Sequence, residues 1–402
     1  MAFRVGMDVP IVFCTILTLL VKGFVADREL EIINKKCDIP KCNQTHDGQP
    51  NLVHIKGTGE NDTIHYLWSS IGAPAVILAR TTLGANLTVN WKDLLDGTKT
   101  GSLSFQPPES VLYSSALMFT KLIEYNDTSD DGTIQSKDAR MMTELESLTW
   151  QKGTINSTDC SAVLLGKLGD NGTISMKLTG FGKGGRLTTL PHLQYTENST
   201  QLDVTMQNVM NMIYTNYTNA RFALEMVVVG RDNKSGTVNI KEDTSIDDQY
   251  TPGTFSTLNV RLPDSPLGSY VQWKPVSYVK KGRTMENARH VYEYKLETTR
   301  ENIDMPQTSI VRAFFSPKEI EQIGALNVSF GITKDGFYKK TNYVSWSIAI
   351  GYGDPPEEYI SLTVYIVISV GLGIPLLIVV FGGTGVCISK HKEKKRKSLQ
   401  SN

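Results

Sequence analysis

The sequence predicts a mainly β protein: a β-sandwich-like luminal body of two subdomains, followed by one C-terminal transmembrane helix. Three observations predict it. Short segments rich in β-branched and aromatic residues recur between Gly, Asn and Asp turn signals, as in sandwiches and barrels. Thirty residues without a charge run from Ile360 to Ser389, more than the about 20 that a bilayer core requires. Ten Asn-x-Ser/Thr sequons lie between residues 43 and 327, where composition alone would give about four.

Residues 1–26 read as a signal peptide: Arg4 precedes an apolar run from Val9 to Val21 that is too short to span comfortably. The 41 basic and 41 acidic side chains balance, which argues against an ordinary nucleic-acid binder. The balance hides an asymmetry, because a body of net charge −6 lies between ends of +1 and +5.

The body, 27–358, has strand composition at Asn51–Lys56, Ile64–Trp68, Ala75–Ala79, Leu87–Trp91, Ser114–Tyr125 and Thr173–Leu178. The same composition returns at Arg221–Val229, Ser269–Val279, Ser309–Phe315, Leu326–Thr333 and Tyr343–Gly351. Helices are expected at Asp138–Leu148 and Met285–Thr298. A break in pattern at 180–196 is the expected division between subdomains. The sequons at Asn43, Asn61, Asn86, Asn126, Asn156, Asn171, Asn198, Asn216, Asn233 and Asn327 are expected on the surface, because a bulky sugar must face solvent. Cys14 falls in the signal peptide and Cys387 in the span, so Cys37, Cys42 and Cys160 can form one disulfide and leave one thiol. Any pairing is open. Cys160 follows the sequon at Asn156 closely, which suits an exposed disulfide or free thiol better than a buried nucleophile.

Residues 359–389 form the expected span and 390–402 a basic tail, KHKEKKRKSLQSN. Positive charge stays cytosolic, so the body faces the lumen in a type I, single-pass arrangement. Ser369 and Gly373, four residues apart, would let another membrane helix approach closely.

Motifs for chemistry are sparse. Gly180, Gly182 and Gly185 satisfy G-x-G-x-x-G, but Pro191 follows where a dinucleotide site needs a helix, so a Gly-rich loop is expected. The run Asp127, Ser129, Asp131, Gly132, ending in Asp138, has calcium-loop spacing. Position 12 is Asp rather than Glu, and an acidic turn is the favoured reading, with no metal. Neither H-E-x-x-H nor G-x-S-x-G occurs. His54 and His65 alternate with apolar neighbours, as structural histidines do. No catalytic residue and no cofactor are expected.

Eight ordered segments carry a resemblance: LVHIKGTGENDTIHYLWSSIGAPAV (52–76), LTVNW (87–91), SSALMFTKLIEY (114–125), SIDDQY (245–250), QWKPVSY (272–278), SIVRAFF (309–315), LNVSFG (326–331) and YVSWSIAIGYGDPP (343–356). They closely resemble the glycosylated lysosomal membrane protein family. The resemblance implies a non-enzymatic accessory subunit of a lysosomal major-facilitator transporter for dipeptides, whose sugar coat shields the transporter from proteases. It also implies a tyrosine-based sorting signal in the tail, which this sequence lacks. A stand-alone receptor or adhesion module and a luminal hydrolase are the alternatives. The 93 residues between Asn233 and Asn327 hold no sequon, so part of that stretch, with its SIDDQY, QWKPVSY and SIVRAFF segments, is expected to face the transporter or a second copy of the body.

Overall fold

The computed structural model describes residues 27–44, 51–97, 99–209, 217–231, 236–245, 250–263, 267–299, 303, 305–306, 308–358 and 362–399. The signal-peptide reading and the last residues of the tail lie outside these. The first strands in chain order are β1 (Glu29–Asn34), β2 (Leu52–Thr58), β3 (Asp62–Ser69), β4 (Ala75–Thr82), β5 (Asn86–Val89), β6 (Leu103–Gln106), β7 (Val111–Asn126) and β8 (Arg140–Glu144). There follow β9 (Thr149–Asn156), β10 (Ser161–Leu168), β11 (Gly172–Gly180), β12 (Gly185–Arg186), β13 (Gln194–Tyr195), β14 (Ser199–Gln207) and β15 (Ala220–Gly230). The last are β16 (Asn239–Thr244), β17 (Ser256–Leu262), β18 (Ser269–Trp273), β19 (Val276–Tyr278), β20 (Ala288–Glu293), β21 (Gln322–Phe330) and β22 (Tyr343–Tyr352). Helices are α1 (Trp91–Asp96), α2 (Ile310–Phe314) and α3 (Leu362–Leu399).

Antiparallel pairing arranges these in two large sheets. One runs β1-β2-β3-β4-β7-β15-β21-β20, with β8 added beside the second half of β7. The other runs β9-β10-β11-β14-β22-β18-β17-β16. Strand β20 also pairs with β19, which touches β22, so one side of the sandwich is stitched shut. The main-chain N–H of Arg28 donates to the Gly182 carbonyl at 2.6 Å and joins the other side.

Alternation decides which side chains meet. In β15, Phe222, Leu224, Met226 and Val228 face the core between the sheets, together with Leu202 and Val204 of β14 and Trp346 and Ile348 of β22. Trp273 and Trp346 are fully buried and meet edge to face, 5.9 Å between centroids. A second apolar cluster fills the far face of the first sheet, where α1, α2, β5 and β6 cover Leu67, Ile77 and Val229. Segment 181–196, with its β12–β13 hairpin, is an excursion between β11 and β14, two strands that pair directly with each other.

The mainly β class holds, and several elements differ from expectation. Residues 138–148 do not form the expected α-helix: Arg140–Glu144 extends the first sheet alongside Lys121–Tyr125, and only a 3-10 turn follows at Leu145–Ser147, with Leu145 in the core. Within 285–298, β20 replaces the expected helix, because that segment bridges the two sheets. Conversely Ser309–Phe315 is helical rather than extended. The Ser309 hydroxyl caps it by accepting from the Arg312 N–H at 3.2 Å, and Ile310, Val311, Ala313 and Phe314 are buried. A short apolar run cannot distinguish a buried strand from a buried helix. Strand β5 ends before Trp91, since Asn90 caps α1 and Gly97 closes it in the left-handed region at φ 64°. Helix α3 is long and apolar enough to cross a membrane and continues through the basic residues up to Leu399.

Candidate functional surface

The calcium-like loop is built around a side chain supplied from elsewhere. Arg221, on β15, is 1 % exposed. Its Nε donates to Asp127 Oδ2 at 2.6 Å, Nη2 to Asp130 Oδ1 at 2.8 Å, and Nη1 to Asp335 Oδ1 at 2.7 Å. The Phe337 ring lies 4.7 Å from the guanidinium. Asp127 is fully buried and also accepts from the Gly132 and Asp131 N–H groups at 2.8 and 3.2 Å. Asp131 turns instead to Thr133 and Gln135, Ser129 accepts from Lys137 at 2.7 Å, and Asp138 accepts from the Gln135 N–H at 2.8 Å. The loop is thus a socket for a guanidinium, neither a solvated turn nor a set of oxygens converging on an ion. Among the described residues no group of three His, Cys, Asp or Glu is placed to hold a metal.

Cys37 and Cys42 are disulfide-bonded. Cys160 is a free thiol and, contrary to the exposed setting expected, is buried in the sandwich core. Burial, with Asp159 beside it, pushes its pKa up to about 11, which disfavours the thiolate. Proximity to a sequon misleads here because the 157–160 turn points this side chain inward while Asn156 stays outside.

His54 and His65 form a buried relay beside Phe105. His65 Nε2 lies 3.0 Å from Thr81 Oγ1, and that hydroxyl donates to the Thr82 carbonyl, so His65 Nε2 is the donor. His65 Nδ1 then accepts from His54 Nε2 at 2.8 Å. Burial, then the neighbouring His65, Lys35 and Lys56, lowers His54 to about 2, and burial with Lys56 lowers His65 to about 3. Neither suits general acid–base work, which needs a pKa near the operating pH. Glu124, at the inner face of β7, goes the other way, raised by burial to about 7.

Of the sequon asparagines, Asn61, Asn86, Asn156 and Asn171 are exposed, and Asn126, Asn198 and Asn327 are half-buried. The Asn43 side chain, Asn216 and Asn233 lie outside the described residues. Asn126 and Asn198 engage their amide oxygens, with the Asn219 N–H at 3.1 Å and Arg28 Nε at 2.6 Å. Strands β16 to β20 carry no sequon. Within 234–326, Gln272–Tyr278 and Ser309–Phe315 are mostly buried within the body. Of SIDDQY, residues 246–249 lie outside the described residues, and Tyr250 is exposed.

The chain just before the span is pinned to the outer face of the second sheet. Gln272 donates to the Pro356 carbonyl at 2.9 Å, and Arg186 grips Glu358 with two bonds of 2.9 and 2.7 Å. Lys274, 2 % exposed, lies 3.1 Å from Glu358 and donates to Thr251 at 3.1 Å; Thr251 donates to the Pro191 carbonyl at 2.6 Å. Burial opposes ionisation of Glu358, but Arg186 and Lys274 outweigh it and hold the carboxyl below its usual range. This clamp, invisible as a motif, rests on residues 84 to 172 positions apart.

A two-sheet antiparallel body, dense in sequons and joined to one apolar helix, defines a class of single-helix membrane glycoprotein architecture. The family model for glycosylated lysosomal membrane protein matches residues 51–393, and the chain belongs to that family. Relatives include glycosylated lysosomal membrane protein A of Xenopus laevis, 34 % identical over 86 % of this chain and 88 % of its own. The Danio rerio protein is 33 % identical over 85 % and 84 %, and the Homo sapiens protein 30 % identical over 87 % and 86 %.

Two outcomes are expected. Arg221→Met leaves buried carboxylates without their cation and lowers unfolding stability by about 3–5 kcal/mol, with Arg221→Lys recovering part of it, in urea titrations of the full chain in detergent. Between pH 6.5 and 4.5 the unfolded chain binds protons at His54 and His65 that the folded chain refuses, so each removes up to about 1.4 kcal/mol of stability per pH unit. Glu124 offsets one of them from pH 7 downward, since there only the folded state binds its proton. Glu124→Gln therefore steepens the acid loss, and replacing both histidines flattens or reverses it, read from denaturation midpoints at pH 5 and 7.

Proposed function

We propose that this protein is the non-enzymatic accessory subunit of a multi-span transporter of the lysosomal membrane. Family membership carries the proposal. The body faces the lumen, the helix crosses once, and the basic residues after it lie in the cytosol, in keeping with the positive-inside rule. The partner is a major-facilitator transporter for dipeptides. Sugars at the exposed sequons and a core closed by two large sheets resist proteolysis, because a protease must open a segment to cut it. Strand β16, largely exposed and within the sequon-free stretch 234–326, carries no sugar of its own that would obstruct a neighbour. The buried His54–His65 pair, with both imidazoles held neutral by burial, supports a structural role for these two histidines.

The test is purification of the tagged chain from lysosomes in mild detergent, with co-purifying proteins quantified. A multi-span transporter recovered near one-to-one, and depleted from cells lacking this chain, is the expected result. Replacing Asn61, Asn86, Asn156 and Asn171 by Gln should shorten that transporter's lifetime by about two-fold or more. Recovery of the chain alone would remove the accessory reading and favour a stand-alone receptor.

A further inference from the structure

Seven large apolar side chains are exposed on the body among the described residues, and three of them gather at one place. Tyr250, Phe255 and Met285 are 44, 48 and 43 % exposed. The first two flank a turn closed by the Thr254 N–H donating to the Thr251 carbonyl at 3.1 Å. The Met285 methyl reaches the same turn, 3.9 Å from where a Cβ on Gly253 would sit. Two exposed lysines, Lys280 and Lys281, stand five and four residues before Met285. An exposed apolar cluster bordered by cations is the composition of a surface that lies in a bilayer interface.

The clamp fixes where this cluster sits relative to the membrane. The Arg186 guanidinium that grips Glu358 also lies 3.9 Å from the Tyr250 ring centroid, and Lys274 joins Glu358 to Thr251. Only residues 359–361 separate Glu358 from the first residue of α3, a reach of about 14 Å at full extension. The turn 250–255 is therefore tied, through one shell of side chains, to the point where the chain enters the bilayer. The stretch 234–326 that supplies the turn and Met285 carries no sequon, as expected of a surface against which a sugar would be crushed.

We infer that the Tyr250–Phe255 turn and Met285 rest in the headgroup region of the luminal leaflet, so that the body lies against the lipid surface by the outer side of its second sheet. The occupant is lipid, whether or not a transporter is bound alongside. Aromatic and thioether side chains fill the interface, and Lys280 and Lys281 meet lipid phosphates. Glu358, held by Arg186 and Lys274, sets the tilt.

The experiment uses the full chain carrying Cys387→Ser, with one cysteine introduced as Phe255→Cys, Met285→Cys or Lys99→Cys and labelled with an environment-sensitive fluorophore. Lys99 is exposed beside α1, on the far side of the sandwich. In phosphatidylcholine nanodiscs without any partner, lipids spin-labelled near the headgroup should quench positions 255 and 285 about two-fold or more and leave 99 unchanged. Adding Glu358→Gln should weaken quenching at 255 while 99 stays as it was. Equal, negligible quenching at all three positions overturns the inference. So does protection of 255 from a water-soluble thiol reagent in native membranes but not in nanodiscs, which would assign the patch to a protein.

Discussion

A single buried guanidinium closes the open end of the sandwich. Arg221 lies at the start of β15, between a loop that leaves β7 and a loop that leaves β21, and each loop brings it carboxylates. Asp127 is fully buried and the Asp335 side chain is only 8 % exposed, so without the cation they would repel each other and open the end. The same cation dictates local backbone: Gly331 adopts φ +126°, and a Cβ there would strike the guanidinium. Loops whose carboxylates lie 94 and 114 residues from Arg221 are thereby held together at this end.

Polarity divides the two outer faces. The first sheet hides its outer apolar residues under α1, α2, β5 and β6, where Trp91 donates to the Lys36 carbonyl beside the Cys37–Cys42 loop. The second sheet presents polar side chains outward: Asp203, Ser347, Gln272 and Lys274. Arg283, which bonds Ser347 and Asp203 at 2.7 and 3.2 Å, and the 354–358 segment are laid over them. One face is a second core and the other an adhesive layer of ion pairs.

Much of the architecture was legible in the sequence, for physical reasons that also explain the misses. The strands at 64–68, 75–79, 114–125, 173–178, 221–229 and 343–351 all appear, because long β-branched and aromatic runs between turn residues leave few alternatives. Residues 309–315 failed because the decisive signal was a single capping hydroxyl at Ser309. Segments 138–148 and 285–298 failed because sheet pairing, of β8 with β7 and of β20 with β19 and β21, overrode a weak local pattern. In the candidate surface, the exposed sequons Asn61, Asn86, Asn156 and Asn171 face solvent as read. The Arg221 socket was half visible: its acidic loop stood out, while the arginine lay hidden in an apolar strand. The Glu358 clamp left no trace in local spacing at all.

Strand β16 has one further consequence. It ends the second sheet with an unpaired edge, yet Lys241, Glu242 and Asp243 stand along it in succession. Confinement to a membrane raises the encounter rate between copies far above that of a dilute solution, and a flat apolar edge would recruit strand after strand into a fibre. A charged edge makes each such addition desolvate ions, so strand-by-strand growth from this edge is opposed.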